Sequence, residues 1–192
     1  MLIKKYKLSI RQNRTQISPK NSPNLKIEEG NYTAKLLTDN PCKLMVWVVQ
    51  LEYISMSGNH FNYTNSYNYQ NSDVEKSLIK NSEKSLINTQ TILINGNPRL
   101  SMRNGSYFSE TQMYQYTNVT PATGINMYSY GLYPFMVQPS GSCNMSQIDT
   151  IEIKLNLSSM INQYNPAIFR GYNLCYNILR IVNGLAGLVF TN

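Results

Sequence analysis

Strict alternation over 151–158 is the clearest pattern in the chain. Ile151, Ile153, Leu155 and Leu157 take one parity, and Glu152, Lys154, Asn156 and Ser158 take the other. That spacing predicts a strand with one buried face. Related signals run from Tyr32 onward. "YTAKLLT" reads as a strand and Asn40-Pro41 as a turn. "KLMVWVVQLEYI" is apolar at both parities from Leu44 to Val49, as in the middle of a sandwich. "TQTILING" ends at Asn95-Gly96, a strong turn dipeptide. "NGSYFSETQMYQYTN" offers two short strand pieces, and "GINMYSYGL" puts Tyr128, Tyr130 and Leu132 on one face. "YNLCYNILRIV" and "LAGLVF" close the series, divided by Asn183-Gly184. About eight strands result, without strand–helix alternation, so two packed antiparallel sheets are the natural solution. The predicted core comprises Leu44, Val46, Val48, Ile151, Ile153, Leu155, Ile178 and Leu179.

Between the strands the pattern breaks. Residues 1–30 read as irregular, with Pro19 and Pro23 opposing any helix. "GNHFNYTNSYNYQNS" has no period. Residues 73–88 contain a near-duplicate, EKSLIKNS then EKSLINTQ, which suggests a long loop with a short helix. The longest or most irregular excursions are therefore expected at 55–90 and 104–123.

Composition sharpens this picture. The length of 192 residues suits one domain, and only 14% are charged, with 25 Asn and 15 Tyr filling the gap. The net charge of +7 is uneven: Lys4, Lys5, Lys7, Arg11, Arg14, Lys20 and Lys26 precede the first acid. The expected division is a basic irregular arm or linker over 1–30 and a β domain over 31–192. The arm is either a solvated linker or a contact for nucleic acid, membrane or an acidic neighbour. Cys42, Cys143 and Cys175 are far apart, with no CxxC pair, which argues against a disulfide framework and a zinc site. A reducing compartment fits best. "MLIKKYKLSI" has no apolar signal-peptide core, and the thirteen-residue "ILRIVNGLAGLVF" is too short to span a bilayer.

Catalytic chemistry is scarce. His60 is the one histidine and sits in a polar loop, so a triad or a histidine-rich metal site would rest on it alone. Nothing in the sequence brings Glu110, Asp149 and Glu152 together as an acid–base pair. No nucleotide-binding or zinc-protease motif occurs. An enzyme is not expected, and no catalytic, cofactor or metal residues are assigned. Asn-x-Ser/Thr triplets at Asn31, Asn62, Asn104, Asn118, Asn144 and Asn156 are close to the number chance supplies in so Asn-rich a chain. Tyr63, Tyr67, Tyr69, Tyr107, Tyr114 and Tyr116 could stack bases, but the basic residues lie elsewhere, so packing or subunit contact is their expected role.

Several motifs are specific. "QPSGSCNMSQIDTIEIKL" (138–155) closely resembles a stretch of the major capsid proteins of nucleocytoplasmic large DNA viruses, including iridoviruses, phycodnaviruses, asfarviruses and mimivirus-like giants. "NPCKLMVWVVQ" (40–50), "FNYTN" (61–65), 93–134 and "YNILRIVNGLAGLVFTN" (176–192) resemble the same family in the same order, from about Tyr32 to the last residue. The resemblance implies an eight-stranded antiparallel jelly roll, the second half of a double jelly roll. It implies a structural capsid protein of an icosahedral virion, assembled in the host cytoplasm. Partners would be trimeric capsomers and other capsid chains, including one with the N-terminal roll, because this chain resembles the second roll alone: a fragment, one exon or a short paralogue. The rival reading is a β-sandwich binding module for glycan or nucleic acid, using the Tyr/Asn loops and the basic arm.

Overall fold

Every strand pair in the named sheets is antiparallel. The computed structural model describes residues 3–17, 30–36, 40–65, 84–136, 138–162, 164–182 and 185–188, of which 3–17, 179, 182, 186 and 188 are described as backbone alone. In chain order the strands are β1 (Ile3–Ile17), β2 (Asn31–Leu36), β3 (Pro41–Leu51), β4 (Ile87–Ile94), β5 (Asn97–Pro98), β6 (Arg103–Asn104), β7 (Ile125–Ser129), β8 (Cys143–Asn144), β9 (Ile151–Leu157), β10 (Ala167–Val182) and β11 (Leu185–Leu188). Helix α1 (Glu52–Met56) follows β3, and a π-helical turn (Tyr107–Thr111) runs into α2 (Gln112–Thr117).

One sheet has the order β1-β10-β3-β7, with β11 beside β10 and β8 beside β3; the other has β2-β9-β4-β5, with β6 beside β4. The chain crosses between sheets from β1 to β2, to β3, to β4, then at β7, β9 and β10. That wrapping is the jelly roll, two sheets sharing one core.

The core follows the strand periods. Ile151, Ile153, Leu155 and Leu157 are buried while Lys154 is exposed. On β3, Met45, Trp47, Val49 and Leu51 join the inter-sheet cluster. The other parity therefore lies on the sheet's outer face. Leu44 and Val48 are buried there, but Val46 is only half-buried, as is Ile178 on β10. The side chain of Leu179 lies outside the described residues. The core also holds a polar chain: Trp47 Nε1 donates to Gln90 Oε1 (2.9 Å), Gln90 Nε2 to Asn126 Oδ1 (2.8 Å), and Asn126 Nδ2 to the Gly124 carbonyl (3.0 Å). Each polar group buried there has a partner, so burial costs little and the two sheets are held in one register.

Four expectations are corrected. Residues 3–17 are not irregular: β1 pairs with β10 without a break, from Ile3 opposite Ile181 to Ile17 opposite Ala167. Tyr6, Leu8 and Ile10 carry a period-two signal among the basic residues, and a sixteen-residue β10 needs a partner for its edge. The two short strand pieces expected after Asn104-Gly105 are instead mostly the π turn and α2. Phe108, Ser109 and Gln112 are buried on one helical face, and Phe108 packs on Trp47 with ring centroids 5.5 Å apart. The strand expected to run through Ile54 stops at Leu51, where α1 begins. Leu132 does not extend the Tyr128–Tyr130 face; β7 ends at Ser129 and Leu132 is exposed. Most of the duplicated segment, with its expected helix, lies outside the described residues, and β4 begins at Ile87.

Candidate assembly surface

The sandwich has two ends, each built by loops. At one end, the Asn95-Gly96 turn meets the connection from β7 to β9: Asn95 N donates to the Thr150 carbonyl (2.9 Å), and Thr150 N to Asn95 Oδ1 (3.0 Å). At the other, α1 and residues 57–65 meet the β9–β10 connection, with Glu52 N donating to the Pro166 carbonyl (2.9 Å).

The first end carries a loop from Gly131 to Gly141, pinched at its base. Leu132 N donates to the Ser140 carbonyl (3.3 Å) and Tyr133 N to Ser140 Oγ (2.8 Å). Gly141 has φ +130°, and a Cβ on Gly131 would lie 2.8 Å from the Gly141 carbonyl oxygen. Both ends of the pinch therefore need glycine. From beneath, buried Lys43 donates to the Met136 carbonyl (3.1 Å) and lies 5.3 Å from the Tyr176 ring centroid. Burial lowers the Lys43 pKa. The loop presents Leu132 (71% exposed), Tyr133, Phe135 and Met136 to solvent. Four large apolar side chains are thus exposed within five residues, an arrangement of the kind that contact surfaces use.

The Gln138–Gln147 segment does structural work throughout. Ser140 and Gly141 close the loop. Cys143 and Asn144 pair with Cys42 and Pro41 of β3. Asn144 Oδ1 then accepts from Ser146 N (3.2 Å), capping a short 3-10 turn that drops Met145 into the core.

At the opposite end, a fully buried Gln50 gathers the loop after α1. Its Nε2 donates to the carbonyls of Asn59 (3.0 Å), His60 (3.2 Å) and Asn62 (3.0 Å). Its Oε1 accepts from Arg170, whose second nitrogen donates to Ser55 Oγ (3.1 Å). One glutamine thus fixes residues 59–62, and Phe61 projects from them 84% exposed. Met56 on α1, Met160 and Tyr164 on the β9–β10 connection, and Tyr114 and Val119 before β7 are large and exposed as well.

The residues weighed for chemistry do not converge. His60 is exposed, and the hydrogen bond placing it uses its backbone. Glu110 and Asp149 are exposed, while Glu152 sits 3.9 Å from Lys35 in a surface pair of little energetic weight. Among the described residues no group of three or more His, Cys, Asp or Glu could hold a metal ion. The tyrosines are dispersed: Tyr107 packs edge-on against Phe108, Tyr63 is half-buried near Tyr172 and Arg170 with its pKa raised chiefly by burial, and Tyr67 and Tyr69 lie outside the described residues. Several Asn of the Asn-x-Ser/Thr triplets do local work. Asn156 Nδ2 donates to Asn31 Oδ1 (2.9 Å), Asn62 Oδ1 accepts from Thr64, and Asn104 Oδ1 accepts from Ser106. The exposed loop at 131–136 was missed in the sequence. Its signal is an apolar run, "LYPFMV", bracketed by Gly131 and Gly141.

Comparison with known proteins agrees with this picture. Residues 2–187 match the family model described as large eukaryotic DNA virus major capsid protein. The chain is 33% identical over 171 residues to "Probable capsid protein 4" of Acanthamoeba polyphaga mimivirus, covering 86% of this chain and 32% of that protein. It is 44% identical over 105 residues to the major capsid protein of Chrysochromulina ericina virus, covering 54% and 18%. It superposes on the solved structure "PBCV-1 virus capsid, quasi-atomic model" with a TM-score of 0.73 at 19% identity, over 100% of this chain and 52% of that one. The chain thus spans a third or less of these curated relatives and about half of the solved capsid chain.

Proposed function

The chain belongs to the family of large eukaryotic DNA virus major capsid proteins, and we propose that it is a jelly-roll building block of an icosahedral virion shell. The observation that carries this is the family match over 2–187 on a sandwich whose two ends present large apolar side chains to solvent. A shell subunit needs a rigid sandwich and adhesive ends, and no catalytic group.

The finer reading follows from that premise. The chain works in trimeric capsomers, beside capsid chains that include one with a further jelly roll. Its share of about half the solved capsid chain supports such a complement. Its place is the virion, after assembly in the cytoplasm of the host cell. The domain begins with β1 and not at residue 31; the unbroken register with β10 supports this. The seven basic residues within 1–27 support an added contact with an anionic surface, nucleic acid or membrane, which would weaken steeply with salt. Sedimentation velocity of the purified chain at micromolar concentration tests the assembly reading. Trimers or larger species are expected. A clean monomer that also fails to bind any other capsid chain would overturn it.

A further inference from the structure

Three cysteines distant in sequence meet in a row. Cys42 on β3 lies directly opposite Cys175 on β10 and directly opposite Cys143 on β8. Directly opposed residues of a regular antiparallel ladder have Cα atoms about 4.5–5.5 Å apart, inside the roughly 4.4–6.8 Å window that a disulfide needs; this applies to Cys42 and Cys143, whereas the β3–β10 register shifts at Cys175. Cys42 and Cys175 belong to the buried core, and Cys143 packs against it while staying half-exposed at the margin of the sheet. None of the three is in a disulfide. The row thus has one member that solvent reaches and two that it does not.

We propose that Cys143 and Cys42 form a thiol–disulfide exchange site for small-molecule disulfides, closing to an intrachain Cys42–Cys143 bond that locks β8 onto β3. The Cys143 thiolate attacks one sulfur of the small disulfide. An S–S bond forms to Cys143, and the other half leaves as a thiolate. The Cys42 sulfur then attacks the Cys143 sulfur and its proton passes to the departing small thiolate, which leaves as a thiol. Two protein thiols are oxidised, one small disulfide is reduced to two thiols, and no other oxidant is required. The asymmetry of the row assigns the order. Cys143 is the one that a reagent can touch; burial raises its pKa, an effect the charge of Arg99 offsets only in part, so its place as first nucleophile rests on exposure and its thiolate forms more readily as pH rises. Cys42 is held protonated by the neighbouring Cys175 thiol and by burial, which suits a slow second step. The bond would fasten Cys143, just beyond the base of the Gly131–Gly141 loop, to the central strand of its sheet.

The test is a non-reducing peptide map of the native protein after incubation with oxidised glutathione. The expected result is loss of two of the three titratable thiols, a cross-linked peptide joining Cys42 to Cys143, and full reversal by dithiothreitol. Cys143→Ser should abolish the cross-link, and Cys175→Ala should leave it in place; a circular dichroism melt checks that both variants fold. Three outcomes would overturn the proposal: a glutathione adduct that persists on Cys143, a cross-link from Cys42 to Cys175 or between two chains, or no reaction at all.

Discussion

Gln90 shows how much one residue can specify. It is fully buried on β4 yet accepts from the Trp47 indole on β3 and donates to Asn126 on β7. Truncation would strand a buried donor and a buried acceptor and leave a cavity. Gln90→Ala should therefore cost about 2–4 kcal/mol in urea unfolding. An effect below about 0.5 kcal/mol would mean that the network is not held as described. Gly124 is a second such point. Its φ is +92°, and a Cβ there would lie 2.4 Å from the Tyr63 carbonyl oxygen. Gly124→Ala should cost about 2–4 kcal/mol through combined strain and clash, read from the same unfolding curves. By contrast Lys154→Ala, on the solvent side of β9, should change stability by less than about 0.5 kcal/mol.

Elements differed in how plainly the sequence announced them. β9 was legible because one face is buried and the other wet, which writes the period into the residues. β3 was legible as a strand, but its inward parity was not. Both faces are apolar, so Met45, Trp47, Val49 and Leu51 could not be told from Leu44, Val46 and Val48 without the partner sheet. The π turn and α2 were hidden because Tyr and Phe favour strands locally, whereas the deciding fact is a distant one, the slot beside Trp47 that Phe108 fills. β1 was hidden by its charge. Its pairing with β10 makes a direct prediction: removing residues 1–17 bares the β10 edge, which should convert soluble protein into aggregates under conditions where the full chain stays soluble. Light scattering during refolding would show it, and a well-behaved truncated protein would argue that β1 contributes little. For the loop after α1, Gln50→Ala removes three carbonyl anchors at once. Cleavage at Phe61 by a chymotrypsin-like protease should then accelerate by roughly tenfold, if about 1.4 kcal/mol of local closing energy is lost; an unchanged rate would count against the anchor.

For the molecule as a whole, the fold serves to place loops. Motif order made the family legible, since Gln-Pro-Ser-Gly, the 3-10 turn and β9 follow one another both in sequence and in space. The exposed apolar loop was not legible. Whether Leu132, Tyr133, Phe135 and Met136 point into a core or into solvent depends on the Gly131–Gly141 pinch and on Lys43 beneath it. The cysteine row was equally invisible, because jelly-roll wrapping alone brings 42, 143 and 175 together. If the loop is an assembly contact, the double variant Leu132→Ser, Phe135→Ser should shift sedimentation toward monomer while leaving thermal unfolding nearly unchanged. Cryo-electron microscopy of purified virions tests the central claim most directly. The account predicts shell density, resolved to side chains, that traces this chain as one jelly roll of a capsomer with 131–136 buried against a neighbouring subunit. A complete shell with no density for this chain would contradict it.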